Sequence, residues 1–578
     1  MTDKNQTGRS AVVVGLCAAL LIVLSLAAYR PLIEGSAQRR AKAPVRERSQ
    51  ERTRERAKDR ERRERGRDDG PREAAADKGQ RAEATPRASS DDAVSSSSGA
   101  SDLGQKIDRA IDESQFASAR WGIYVSSLRD GRTIYARNSD KPITPASNMK
   151  VYTTAVALDL LGADYRWRTS VYATAAPDAG GTIAGDIILY GRGAPDFASE
   201  TKRGRTASLG QLADDLYDRG VRRVRGNVVG DESYFRGEAL GDGWLWNDVQ
   251  WYFGAEVSAL SINGNETTLT VTPAAKAGER VTVRFDVPTD YFHVENDADT
   301  LERGTPTTIG ITRGLSDNEF RIWGQFPAGG RGFSARLSAH RPALWAATLF
   351  RDALRKRGIQ IEGEARMRDA RDGRDGRFDP QSAVELASVQ SRTLGEIARL
   401  TNKESINLFA ELILRSLGKE RGSLAQDPNP HRNATRGDDE AGTAVIRMWL
   451  ERAGIATRGL SLHDGSGLSR LDMVTPEVTA RLLAAIAKTP AATVFRDSLP
   501  VAGRDGTLGG RLRSAAGRIQ AKTGTLTYTN SLSGYVLTER DEPLVFSIIC
   551  NNETAEASST SVIDKIAALL ASYDEPAP

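Results

Sequence analysis

Residues 145–162 read PASNMKVYTTAVALDLLG, and the fold turns on this stretch. Pro145 precedes an apolar helical run in which Met149, Val151, Val156, Leu158 and Leu161 can face a core. Ser147 and Lys150 stand three apart, so on a helix they share a face and the amine can reach the hydroxyl. A serine hydroxyl is a poor nucleophile until a base takes its proton. A lysine desolvated near another cation loses enough proton affinity to be that base. Taken singly, Ser147 also reads as an N-cap. The same spacing recurs at Ser199–Lys202, in a polar loop, and at Ser416–Lys419, at a helix end beside Gly418. Only Ser147 opens a long apolar helix.

Outward from this helix the pattern is mixed. Upstream, Ile107, Ile111 and Phe116 suggest a first helix. WGIYVSSL (121–128) and TIYARN (133–138) then read as a hairpin turning at Asp130-Gly131. Downstream, 183–375 carries short alternating strands such as GDIILYG, VRGNVVGD, TTLTVTP and RVTVRFDV, set off by Gly and Pro turns, and is expected to be β-rich. Helices return in SINLFAELILRSLG (405–418) and TPEVTARLLAAIAK (475–488). The strands IQAKTGTLT, SLSGYVLT and LVFSIIC and a helix near 561–571 end the chain. The expectation is an α/β (α+β) domain formed by 104–182 and 376–578, split by inserted β-rich domains over 183–375.

With 578 residues the chain is longer than one core usually holds. Two cysteines, Cys17 and Cys550, exclude a disulfide scaffold or a cysteine-rich metal site, and the four histidines lack HExxH spacing. The net charge of +4 invites a nucleic-acid reading, but its distribution argues against one. Residues 39–87 alone carry +7 and residues 1–38 carry +1, which leaves −4 on the remaining 491. The basic character belongs to a tail.

That tail has two parts beyond a short N-terminus, residues 1–10. Residues 11–28 are 18 consecutive uncharged residues, nearly enough to span a hydrocarbon core as a helix, and read as a signal-anchor. Cleavage after Ala27-Ala28 would release the chain instead. Flanking positive charge is heavier after the segment than before it, which by itself favours the opposite orientation. Residues 29–103 form a charged, low-complexity linker, solvated helix or disordered, with acid–base pairs at helical spacing and a serine run at Ser95–Ser98.

Two further motifs follow Ser147 and Lys150. Ser405-Ile-Asn407 immediately precedes an apolar helix, where the hydroxyl can pass a proton and the amide can bind a carbonyl. Lys522-Thr523-Gly524, with Thr525, lies on a late strand. Gly524 permits close backbone approach there, and Lys522 offers a charge to a carboxylate. Each alone is an ordinary helix start or surface strand. In this order and context they are far more specific. The chain resembles the low-molecular-mass class C penicillin-binding proteins, serine D-alanyl-D-alanine carboxypeptidases and endopeptidases. GWLWNDVQWYFGAEVSALSINGNE (243–266), LTNKESINLFAELILRSLG (400–418), DGSGLSRLDMVTP (464–476) and SLPVAGRDGTLGGRL (498–512) add to the likeness, which covers about 104–572. The 258-residue gap from Ser147 to Ser405 fits that family's inserted domains.

The resemblance implies a β-lactamase/transpeptidase-like domain, a five-stranded sheet between helices in which the two chain ends meet. It implies attack by Ser147 on the penultimate D-Ala carbonyl of peptidoglycan stem peptides, with Lys150 as base. Ser405 and Lys522 would pass or stabilise the proton to the leaving amine, and Asn407 would position the peptide. Lys522, Thr523, Gly524 and Thr525 would bind the terminal carboxylate. The backbone N–H groups of Ser147 and Thr525 would form the oxyanion hole, typically about 3–4 kcal/mol of barrier lowering per donor. Ile406 departs from the Asp or Asn often found between such a Ser and Asn, and is read as a spacer. β-Lactams would inhibit, and the body would be extracytoplasmic, tethered through 11–28 or secreted if that segment is cut. The alternatives are a β-lactamase-like hydrolase and a non-catalytic wall-binding scaffold. A Ser466-centred triad is disfavoured because no G-x-S-x-G elbow is present, and Asp464–Ser469 reads as a loop near the site.

Overall fold

The computed structural model describes residues 102–199, 208–371, 376–428, 431, 436–554 and 557–574. The expected membrane segment (11–28), nearly all of the charged linker and Lys202 lie outside the described residues. Among the described residues, no helix is long and apolar enough to cross a membrane.

The chain's first and last strands build one antiparallel sheet, in the order Ile519–Leu526, Thr529–Leu537, Pro543–Asn551, Arg120–Ser127, Thr133–Arg137. Its strands alternate by the period-two rule, yet both faces are apolar because both are covered. Trp121, Ile123, Val125, Leu532, Phe546 and Ile548 point to one face, under the terminal helices Asp102–Asp112 and Thr560–Ala571. Tyr124, Tyr535, Val545 and Ile549 point to the other, where they join Met149, Tyr152 and Val156 of the helix Met149–Leu161 and Leu483 of the helix Pro476–Ile486. Close packing is visible at Gly122, where an added Cβ would stand 2.8 Å from Pro476.

The inserted region differs from the β-rich expectation in two respects. Its five-stranded sheet, ordered Ala365–Arg368, Val228–Asp231, Ile187–Tyr190, Arg168–Ala173, Val384–Gln390, recruits strands on both sides of the expected 183–375 limits. Its first three strands are parallel, and parallel neighbours need crossovers. Two helices, Leu209–Asp218 and Pro342–Arg357, lie in those connections. Both carry helical signals: Leu209, Leu212, Ala213 and Leu216 bury one stripe behind the Ser208 cap, and Pro342 and the left-handed Gly358 mark start and stop. Nested between them are two three-stranded sheets, Phe333–Ser338 with Glu266–Thr272 and Thr282–Phe285, and His293–Leu301 with Glu319–Pro327 and Gly310–Arg313.

Candidate active site

Ser147 lies in a 3-10 turn, Ala146–Asn148, that leads into the helix Met149–Leu161. The turn is held against the sheet by Ser531 Oγ donating to Pro145 O (2.7 Å) and Asn148 Nδ2 donating to Ser533 Oγ (3.0 Å). Ala146 has φ of 50°, a conformation that costs a non-glycine residue about 1 kcal/mol or more. Two glycines let other backbones press on this strained turn. A Cβ on Gly467 would fall 1.8 Å from Ala146 O, and one on Gly524 would fall 3.0 Å from Ser147 N. Ser147 does not act as a side-chain cap. Its Oγ accepts from Lys150 Nζ at 2.9 Å, and the residue remains partly exposed.

Lys150 is fully buried and spends all three donors: on Ser147 Oγ, on Asn407 Oδ1 (2.6 Å) and on Ser466 O (2.8 Å). Burial pushes its amine down to about 7, against the opposing pull of Asp464 and Glu411. Such an amine is neutral often enough at physiological pH to accept a hydroxyl proton.

The second pair stands opposite. Lys522, on the strand Ile519–Leu526, is also fully buried and donates to Ser405 Oγ (2.9 Å) and Thr523 O (2.7 Å). Burial, and then the neighbouring Lys150 charge, hold it well below the usual lysine range. Ser405 occupies the tight joint between helices Leu394–Lys403 and Asn407–Arg421, again with positive φ (57°). Ile406 sits half-buried at the helix start, its N–H donating to Thr401 O.

The structure thus brings Ser147, Lys150, Ser405, Asn407, Lys522 and Gly524 to one place. The two threonines differ: Thr523 is buried and its hydroxyl shares a bond with Thr507, while Thr525 is exposed and donates to Asn530. Asn407 is not turned outward; its Oδ1 faces Lys150 and its Nδ2 donates to Phe253 O (2.8 Å). His463 pairs with Asp242 and Ser461 rather than Ser466, so no Ser-His-Asp relay exists there. Neither of the other S-x-x-K serines resembles Ser147: Ser416 Oγ accepts from Trp167 and donates to Leu412 O, and Ser199 bonds Asn263.

Sequence reading missed the carboxylates under the site. Glu411, one turn after Asn407, accepts from the backbone N–H of Gly465 and Ser466, and burial beside Asp464 pushes it up to about 8. Asp464 receives the N–H groups of Gly467 (2.6 Å) and Ser469 (2.7 Å) and the indole of Trp244 (2.9 Å). Asp472, buried beside Asp464, is raised well above the carboxylate range. The only sequence signal was the turn-rich Asp464-Gly-Ser-Gly467 run, which does not announce a buried acid. Trp244 and Phe253 show that the inserted region also reaches the site.

Known proteins share this arrangement of elements. The chain is 34% identical over 496 residues to a D-alanyl-D-alanine carboxypeptidase of Actinomadura sp. (strain R39), covering 83% of this chain and 87% of that one. It is 25% identical to the D-alanyl-D-alanine carboxypeptidase DacB of Haemophilus influenzae, over 74% of this chain and 84% of the relative. The crystal structure of penicillin binding protein 4 (dacB) from Haemophilus influenzae superposes with a TM-score of 0.66 at 23% identity, over 82% of this chain and 98% of that one, and shows the same fold. A family match over residues 103–573 takes in every element that builds the two lysine–serine pairs, and the chain belongs to the D-Ala-D-Ala carboxypeptidase 3 (S13) family, a low-molecular-mass class C penicillin-binding protein.

Proposed function

We propose that the protein is a serine D-alanyl-D-alanine carboxypeptidase that acts through an acyl-enzyme on Ser147. The observation that carries this reading is the pairing of Ser147 Oγ with a wholly buried Lys150 Nζ at 2.9 Å, faced by the equivalent Ser405–Lys522 pair at 2.9 Å. Family membership supplies the reaction class. Neutral Lys150 takes the Ser147 proton as Oγ attacks the penultimate D-Ala carbonyl. The tetrahedral adduct collapses when the proton taken up by Lys150 passes through Ser405, next to Lys522, to the leaving amine of the terminal D-Ala, which returns Lys150 to its neutral form. Water then attacks the ester, Lys150 again removing its proton, and the shortened peptide leaves. The backbone N–H groups of Ser147 and Thr525 stabilise the oxyanion, and Lys522, Thr523, Gly524 and Thr525 receive the terminal carboxylate. No step calls for a metal or cofactor.

β-Lactams acylate the same serine in this reading; the Haemophilus influenzae protein of the same fold was crystallised with a β-lactam. D,D-endopeptidase action on cross-links belongs to the proposal as well, because a cross-link offers the same D-Ala carbonyl with a different leaving amine. The body would be extracytoplasmic, on the side where peptidoglycan lies, held to the membrane through 11–28 or secreted if that segment is cut. Purified protein incubated with a D-Ala-D-Ala-ended peptide should release D-alanine, and Ser147→Ala should not. Fluorescent penicillin should leave a durable label. Rapid loss of label would favour the β-lactamase-like alternative, and neither release nor label would favour a wall-binding scaffold.

A further inference from the structure

Beneath the catalytic pair, one peptide group links a buried acid to the base. The Ser466–Gly467 peptide accepts Lys150 Nζ on its carbonyl (2.8 Å) and donates its N–H to Asp464 Oδ1 (2.6 Å). A carboxylate on one end of an amide pulls its dipole into line, so the carbonyl at the other end becomes a stronger acceptor. Five donors converge on Asp464: the N–H groups of Ser466, Gly467 and Ser469, the Ser466 hydroxyl and the Trp244 indole. An ionised carboxylate, acceptor-only, matches that set. Ser466 N–H is shared with Glu411, which also accepts from Gly465 N–H, and Thr153 Oγ1 donates to Gly465 O (2.8 Å). Gly467 at φ of 80° is what lets the loop turn this close to Ala146.

We propose that Asp464 is a positioning residue for the reaction: it aims the Ser466 carbonyl at Lys150, and its charge, carried through the Ser466–Gly467 peptide, sets the pH at which Lys150 becomes a base. The inference rests on the reading of Ser147 and Lys150 given above. The charged groups facing Lys150 are Lys522 from the strand, Glu411 from the helix Asn407–Arg421 and Asp464 from the loop. Asp464 itself faces Glu411 and Asp472, and Glu411 faces Arg415. Asp464 therefore opposes the desolvation that drives protons off Lys150. Its effect is a brake that keeps the base from being neutral at too low a pH.

The test is the pH profile of second-order acylation by a fluorescent penicillin, measured on the full chain and on Asp464→Asn, with melting temperatures alongside. Removing the charge should move the acid limb to lower pH by about half a unit or more, whatever happens to the maximal rate. A purely structural role would lower the rate at every pH and leave the midpoint in place, and that result would overturn the proposal. Should Asp464→Asn not fold, Asp464→Ser carries the same test, since it also removes the charge and keeps a hydroxyl to accept loop N–H groups; an unmoved midpoint there would again overturn it. Failure of the underlying reading looks different, because the unaltered protein would then take no label at all.

Discussion

Lys150 and Lys522 are both wholly buried and each lies 2.9 Å from a serine hydroxyl, yet their surroundings differ. The floor under Lys150 contains Glu411 and Asp464, and its three donors meet a hydroxyl, an amide oxygen and a carbonyl. The sheet edge around Lys522 supplies a hydroxyl and a carbonyl, and the charge acting on it is the other lysine. Desolvation drives both amines toward neutrality, but only Lys150 has acids to check it. In the proposed mechanism Lys150 works as the base and Lys522 meets the leaving side and the substrate carboxylate, a division set by the serine each amine faces.

The largest expected effect tests the nucleophile beside Lys150. Ser147→Ala should lower D-alanine release by roughly 10⁴-fold or more, read by a coupled D-alanine assay, because no covalent step remains. Lys150→Ala should reduce penicillin acylation by about 10³-fold. Lys150→Arg should do no better, since a guanidinium does not give up its proton. The comparison sharpens at Lys522. Lys522→Ala should cost about 10²-fold, and Lys522→Arg should retain a larger share of labelling than Lys150→Arg does. Equal behaviour of the two arginine variants would break the division of roles. Acylation by the unaltered protein should rise through an acid limb near pH 7, because Lys150 is protonated below that value and cannot accept the Ser147 proton. The smallest effect concerns the loop. Gly467→Ala should cost about 2 kcal/mol or more of stability, seen as a lower melting temperature, since a Cβ there meets Ala146 O at 1.8 Å and the positive φ disfavours it.

The same contrast explains what the sequence disclosed. The terminal hairpin, the helix after Ser147, and the three C-terminal strands each carry local periodicity, and they lie where that periodicity put them. The motif residues were legible because chemistry demands their types at fixed short spacings. Glu411 and Asp464 were not, because their meaning depends on partners far away in the chain: Ser466 O reaches Lys150 across 316 residues, and Trp244 reaches Asp464 across 220. Nothing local distinguishes Glu411 from a solvated helical glutamate. The two crossover helices of the inserted region had local signals, at Leu209–Leu216 and Pro342–Gly358, but these lay among strands whose alternation dominated the reading. Arg168–Ala173 and Val384–Gln390 fell outside the expected limits because strand pairing across more than 200 residues leaves no mark in either segment.

The most direct test of the account is to acylate the protein with penicillin, digest it and locate the adduct by mass spectrometry. The adduct should sit on Ser147, and labelling should vanish in Ser147→Ala. An adduct on Ser405 or Ser466, or undiminished labelling of Ser147→Ala, would contradict the assignment of Ser147 and Lys150 as nucleophile and base.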